Sequence, residues 1–162
     1  MQIKLTPAEI QVGAFVGLQR HKHAIEQKIE YPDGYDNPWQ RHIEGALAEM
    51  AFAKIMTLHW DAKPDQFDKN DVSGWEVRCT EYKTGHLLLQ ETDLDYSPYV
   101  LLTGKNGDYV VRGWLFGFQG KLDKYWGTLG DQKRPCFRVP QNQLRSIQTH
   151  DDFLNSSYKE SA

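Results

Sequence analysis

The chain reads as an α+β fold in which two N-terminal helices pack on a central β-sheet. Three observations predict this. Two helix-start signals, Thr6-Pro7-Ala8-Glu9 and Asn37-Pro38-Trp39-Gln40, open the first third of the chain. From about Trp75 onward the pattern changes to short apolar runs separated by turn residues. Gly104-Lys105-Asn106-Gly107-Asp108 then stands between two such runs as a hairpin signal.

Taking the elements in order, Thr6 is the expected cap of the first helix, with Pro7 at its first position and Glu9 closing a capping box. Ile10, Ala14, Val16, Leu18 and Ile25 keep a roughly helical rhythm to about Lys28. Gly13 and Gly17, four apart, lower helix propensity and allow a neighbouring helix to come close. His21 and His23, two apart, cannot share a helix face and are expected to be exposed polar residues. Residues 31–36 form a turn-rich loop.

The second helix runs from Pro38 to about Leu58, capped by Asn37. Ile43, Leu47, Met50, Ala51, Ile55 and Leu58 make its core stripe. Ala46, Phe52, Ala53 and Met56 cover much of the opposite side, so the helix is largely buried. Glu49 lies among Ala46, Ala53 and Met56, where a lone ionised carboxylate is costly. It therefore calls for a metal or a basic side chain.

Residues 59–70 are polar and broken by Pro64, with Phe67 as anchor of a strand that ends at Asp71. Strands are then expected over residues 75–80, 86–90, 99–103 and 109–117. Residues 118–135 read as a loop, 136–139 as a closing strand and 140–147 as a short helical turn. The segment after Asp151 is expected to be loosely held.

Length and composition narrow the function classes. The chain has 162 residues, which suits one domain with a sizeable core, and 40% hydrophobic with 25% charged residues is ordinary globular composition. No apolar run approaches a membrane span and the N-terminus lacks a signal-peptide pattern, so no membrane partner is expected. Cys79 and Cys136 are the only cysteines, and two thiols make no disulfide framework; a reducing cytoplasm is the simplest home. A net charge of −3 argues against a uniformly basic nucleic-acid-binding surface, so any such surface must be a local patch. The heavy aromatic load, five Trp, eight Tyr and seven Phe, is assigned to the core.

The stretch Asp71-Val-Ser-Gly-Trp-Glu76-Val-Arg78 carries the chemistry. On a strand, Glu76 and Arg78 point to one face while Val77 and Cys79 point to the other. Ser73-Gly74 is a turn signal that swings Asp71 back beside Glu76. Two carboxylates converging at a strand edge suit a hard cation such as Mg²⁺, and a neighbouring cation can stabilise charge growing on a phosphate. The plainer alternative is a cross-strand salt-bridge cluster of Asp71, Glu76 and Arg78, which leaves Glu49 without a reason.

A buried helix bearing Glu49, a strand ending at Asp71, and a strand carrying Glu76 and Arg78 follow one another in this chain. That order resembles the PD-(D/E)XK nuclease superfamily, with its restriction-endonuclease-like core built on a central mixed sheet. Asp71 matches the family's first acid and Glu76 its second, while Arg78 stands where the family usually has Lys. Gly45-Ala-Leu-Ala-Glu49 is similar to the Gly-x-x-x-Glu pattern of the first core helix, and the strands after Arg78 are similar to those of small phage-encoded members. The resemblance covers about residues 38–139.

It implies a metal-dependent enzyme hydrolysing DNA phosphodiester bonds in the cytoplasm of a bacterial host. Asp71, Glu76 and the backbone carbonyl of Val77 would hold Mg²⁺ or Mn²⁺. Glu49 would hold a second metal or its water, and Arg78 would steady the attacking water and the charge on phosphorus. Arg78 cannot deprotonate, so it cannot be a general base as Lys might, but it can bind phosphate through two N–H groups. The family's helix between the third and fourth strands has too little room over residues 91–98. Glu44 competes with Glu49 as the helix acid, and spacing does not decide between them. The alternative function is a nuclease fold without turnover that binds nucleic acid or a host protein, as an inhibitor or accessory factor. Gln90 is assigned to solvent rather than to the site.

Overall fold

Capping fixes where both helices begin. In the computed structural model, which describes residues 1–29, 37–64, 71–128 and 135–147, helix α1 spans Pro7–Glu26. Glu9 N donates to Thr6 Oγ1 at 3.3 Å and Thr6 N donates to Glu9 Oε2 at 2.6 Å, the reciprocal pair of a capping box. Helix α2, Pro38–Met56, starts with Gln40 N donating to Asn37 Oδ1 at 3.1 Å.

Glycine sets how closely the helices approach. A Cβ on Gly13 would lie 2.6 Å from Leu47 Cδ2, and one on Gly17 would lie 2.5 Å from Ile43 Cα. The second is a backbone contact that no rotamer change relieves. His21 is buried in this helix pair with its ring 4.1 Å from that of Trp39. The exposed position expected for it is therefore corrected: on α1 it falls beside Gly17 and Ala24 on the side that meets α2.

A four-stranded mixed sheet lies against α2. Its strands are β1 (Gln2–Lys4), β2 (Glu76–Thr80), β4 (Pro98–Lys105) and β5 (Asp108–Phe116), in the order β1-β5-β4-β2. β2 runs parallel to β4, with Arg78 opposite Leu101, and the other pairs are antiparallel. Asn106 (φ 55°) and Gly107 (φ 85°) both take left-handed backbone, which matches a two-residue turn of the type that suits strand twist. A second sheet, in the order β3 (Leu87–Leu89), β7 (Cys136–Val139), β6 (Trp126–Gly127), was not expected from the sequence.

β4 is buried on both faces, which explains its unbroken apolar run. Val100 and Leu102 join Phe52, Trp75 and Trp114 in the core beneath α2. Tyr99 and Leu101 join Leu87, Leu89, Leu115 and Val139 in a second core under the small sheet. The helices do not share the first sheet equally: α1 packs along α2, and α2 carries the main contact with the strands. Residues 118–128, expected as loop, include a short helix α3 (Gly117–Gly120) and a 3₁₀ turn at Asp123–Tyr125. The expected turn over 140–147 is a single 3₁₀ turn, Gln141–Gln143. The expected loop at 31–36, the strand around Phe67 and the segment after Asp151 lie outside the described residues.

Candidate active site

Among the described residues β2 is the outer strand of its sheet, and its outer margin is where the acids gather. Val72 and Trp75 exchange backbone hydrogen bonds of 3.1 and 2.8 Å around Ser73 (φ 44°) and Gly74 (φ 91°). This tight reversal folds Asp71 back along β2, as the Ser73-Gly74 signal predicts. Asp71 Oδ2 then accepts the outward N–H of Val77 at 2.7 Å. In an extended strand a residue's N–H and C=O leave by the same edge, so the Val77 carbonyl faces this margin too.

Alternation along β2 sorts the remaining side chains. Val77 and Cys79 pack into the core under α2. Arg78 lies over the Tyr99 ring at 5.1 Å, on the opposite face of the sheet. Its Nη1 is 3.4 Å from Glu76 Oε2 and 3.7 Å from Asp71 Oδ2, while its Nη2 is 3.2 Å from Asp93 Oδ1. Asp93 is held in turn by the Gln90 N–H at 2.9 Å, and the Tyr99 hydroxyl accepts the Leu94 N–H at 2.9 Å. The Gln90 side chain is exposed, as expected.

Glu49 approaches Asp71 from α2. It is 4% exposed, and its charge is matched by Arg20 of α1. Arg20 Nη1 meets Oε1 at 2.5 Å and Nη2 meets Oε2 at 2.6 Å, while Trp60 Nε1 donates to Oε2 at 3.0 Å. Glu44 points elsewhere. It accepts from the Tyr109 hydroxyl at 2.5 Å and from Asn106 N at 3.1 Å, tying α2 to the tip of the β4–β5 hairpin. Glu49, not Glu44, is the helix acid whose charge acts on Asp71.

The electrostatics follow from this crowding. Burial, then the negative charges of Glu49 and Glu76, push the Asp71 carboxyl up to about 7. The Val77 N–H and Arg78 pull it down but do not win. Burial also lifts the Cys79 thiol to about 12, with Glu44 and Glu49 adding to it, so this cysteine is not a thiolate at neutral pH. Arg78 is held protonated by Asp93, Asp71 and Glu76 against the opposing effect of burial.

Four carboxylates (Glu49, Asp71, Glu76, Asp93) thus face two guanidiniums (Arg20, Arg78), an excess of two negative charges when all are ionised. A divalent cation would offset that excess. Among the described residues no group of three or more His, Cys, Asp or Glu side chains forms a metal cage. What the margin offers is the pair Asp71 and Glu76 with the Val77 carbonyl. That set fits Mg²⁺, which keeps several waters and takes one or two carboxylates.

Sequence reasoning did not find Arg20, Trp60, Asp93 or Tyr99. Arg20 carried a signal, since it falls with Gly13, Gly17 and Ala24 on one helical stripe, the natural complement of a buried acid. Among the described residues no helix is long and apolar enough to cross a membrane. No family model, curated protein or solved structure matches this chain.

Proposed function

We propose that this protein is a divalent-metal-dependent nuclease of the PD-(D/E)XK type that hydrolyses DNA phosphodiester bonds. The observation that carries the reading is the gathering of Asp71, Glu76 and Arg78 with Glu49 at one strand margin, where burial and then its acidic neighbours push Asp71 up to about 7. The order of parts supports it: α2, a reversal after Asp71, β2, then β4 parallel to β2. Asp71, Glu76 and the Val77 carbonyl would hold Mg²⁺ or Mn²⁺, which when bound supplies an acidified water and charge neutralisation on phosphate. Arg78, braced by the Tyr99 ring, presents N–H groups to a phosphate oxygen. It cannot accept the proton of the attacking water, so that proton goes to a carboxylate or to solvent.

A second reading, a nuclease fold without turnover that binds nucleic acid or a host protein, is favoured by one observation. Arg78 is already engaged by three carboxylates, Asp71, Glu76 and Asp93. Incubation with linear, nicked and single-stranded DNA in Mg²⁺ or Mn²⁺ separates the two. The enzyme reading predicts cleavage of at least one DNA by the wild-type protein and none by folded Glu76→Ala or Arg78→Ala. DNA left intact by the wild type under every condition contradicts it.

A further inference from the structure

Arg20 is the half-buried cation that the nuclease reading leaves without a task. It comes from α1, and its side chain is 16% exposed against 5% for Glu49. Two parallel N–H···O bonds of 2.5 and 2.6 Å cover both Glu49 oxygens, and Trp60 Nε1 adds a third donor on Oε2 at 3.0 Å. A fork of this kind matches the plane of a carboxylate and cannot lose its charge.

The position of Arg20 is built into the backbone. Gly17, one turn earlier on the same stripe, has no room for a Cβ against Ile43 and His42 of α2. The close approach it allows places Arg20 across from Glu49. Trp60, in the segment that follows α2, completes the cradle. Three donors from two segments therefore hold one carboxylate that a metal ion would have to take from them.

We infer that Arg20 occupies the place of a second metal ion, so that the pocket takes a single divalent ion on Asp71 and Glu76 and Glu49 is not a metal ligand. This rests on the reading of the pocket as a metal site. Mg²⁺ needs no third carboxylate, since it is commonly held by one or two with water and substrate phosphate completing the shell. Arg20 is a positioning residue: it fixes Glu49 and contributes a permanent charge beside Asp71.

The test is a titration with Mn²⁺ alone, following the paramagnetic resonance signal of the free ion and without reference to cleavage. Wild type is expected to bind one ion per chain. Glu49→Gln, whose amide keeps an oxygen toward the fork, is expected to bind one ion with affinity within about tenfold of wild type, the small end of an outer-group effect. Asp71→Asn should lose the ion. Arg20→Met, where it folds, should release Glu49 and admit a second ion; the wild-type and Glu49→Gln counts decide the matter if it does not. Two ions in wild type, or an ion lost from Glu49→Gln, overturns this inference and leaves the nuclease reading standing. No ion in wild type overturns both.

Discussion

Asp71 concentrates the chemistry of this chain at the scale of one residue. Its carboxyl is raised from an ordinary 3.8 to about 7 by burial and by Glu49 and Glu76. Between those values the folded chain keeps a proton that the unfolded chain has released. The contribution of Asp71 to stability is therefore complete below pH 4 and falls as pH rises through 7. A shift of about three units corresponds to at most about 4 kcal/mol. Asp71→Asn, which keeps an oxygen for the Val77 N–H, should therefore be more stable than wild type at pH 8 in chelator, by on the order of 2 kcal/mol. The gap should close near pH 4. Urea denaturation at both pH values measures this, and a variant less stable than wild type at pH 8 would show that the ionised carboxylate is favourably placed. At this scale the sequence was informative where spacing places residues, as for Asp71, Glu76 and Arg78 around the Ser73-Gly74 turn. It was silent on Asp93 and Trp60, which reach the site from segments with no periodicity to read.

Packing of α1 against α2 decides whether Arg20 can meet Glu49, so the elements carry their own prediction. Gly17→Ala would bring a Cβ to 2.5 Å from Ile43 Cα and 2.7 Å from the His42 carbonyl oxygen. The helices must separate, at a cost of about 1–3 kcal/mol or somewhat more. Gly45, the glycine of the Gly-x-x-x-Glu pattern, has nothing within 4 Å of an added Cβ. Gly45→Ala should therefore stabilise α2 by up to about 1 kcal/mol. Denaturation midpoints moving in opposite directions support this view of the helix pair, and equal shifts contradict it. Both helices were legible because caps and apolar spacing are local signals. The three-residue strands β1 and β3 were shorter than the pattern needed to recognise them fully, so β1 was missed and β3 was expected to be longer.

The whole molecule places the site by sandwiching one sheet between α2 and a second, smaller sheet. Among the described residues β2 stays at the margin because its only strand neighbour is β4, reached after a connection that includes β3. Strand propensity shows that such segments exist but not which of them pair, so the two-sheet arrangement could not be read from the chain. The buried double face of β4 was legible as an apolar run, and its partners were not. Charge behaves similarly: a net −3 gives no hint that four carboxylates and two guanidiniums gather beside one strand.

The most direct test is a crystal of the wild-type protein soaked in Mn²⁺ and examined by anomalous scattering. One peak within coordination distance of Asp71 and Glu76, with the Arg20 fork on Glu49 intact, is the predicted result. A crystal that takes up no Mn²⁺ there, with Arg78 still closing on both acids, would contradict the account.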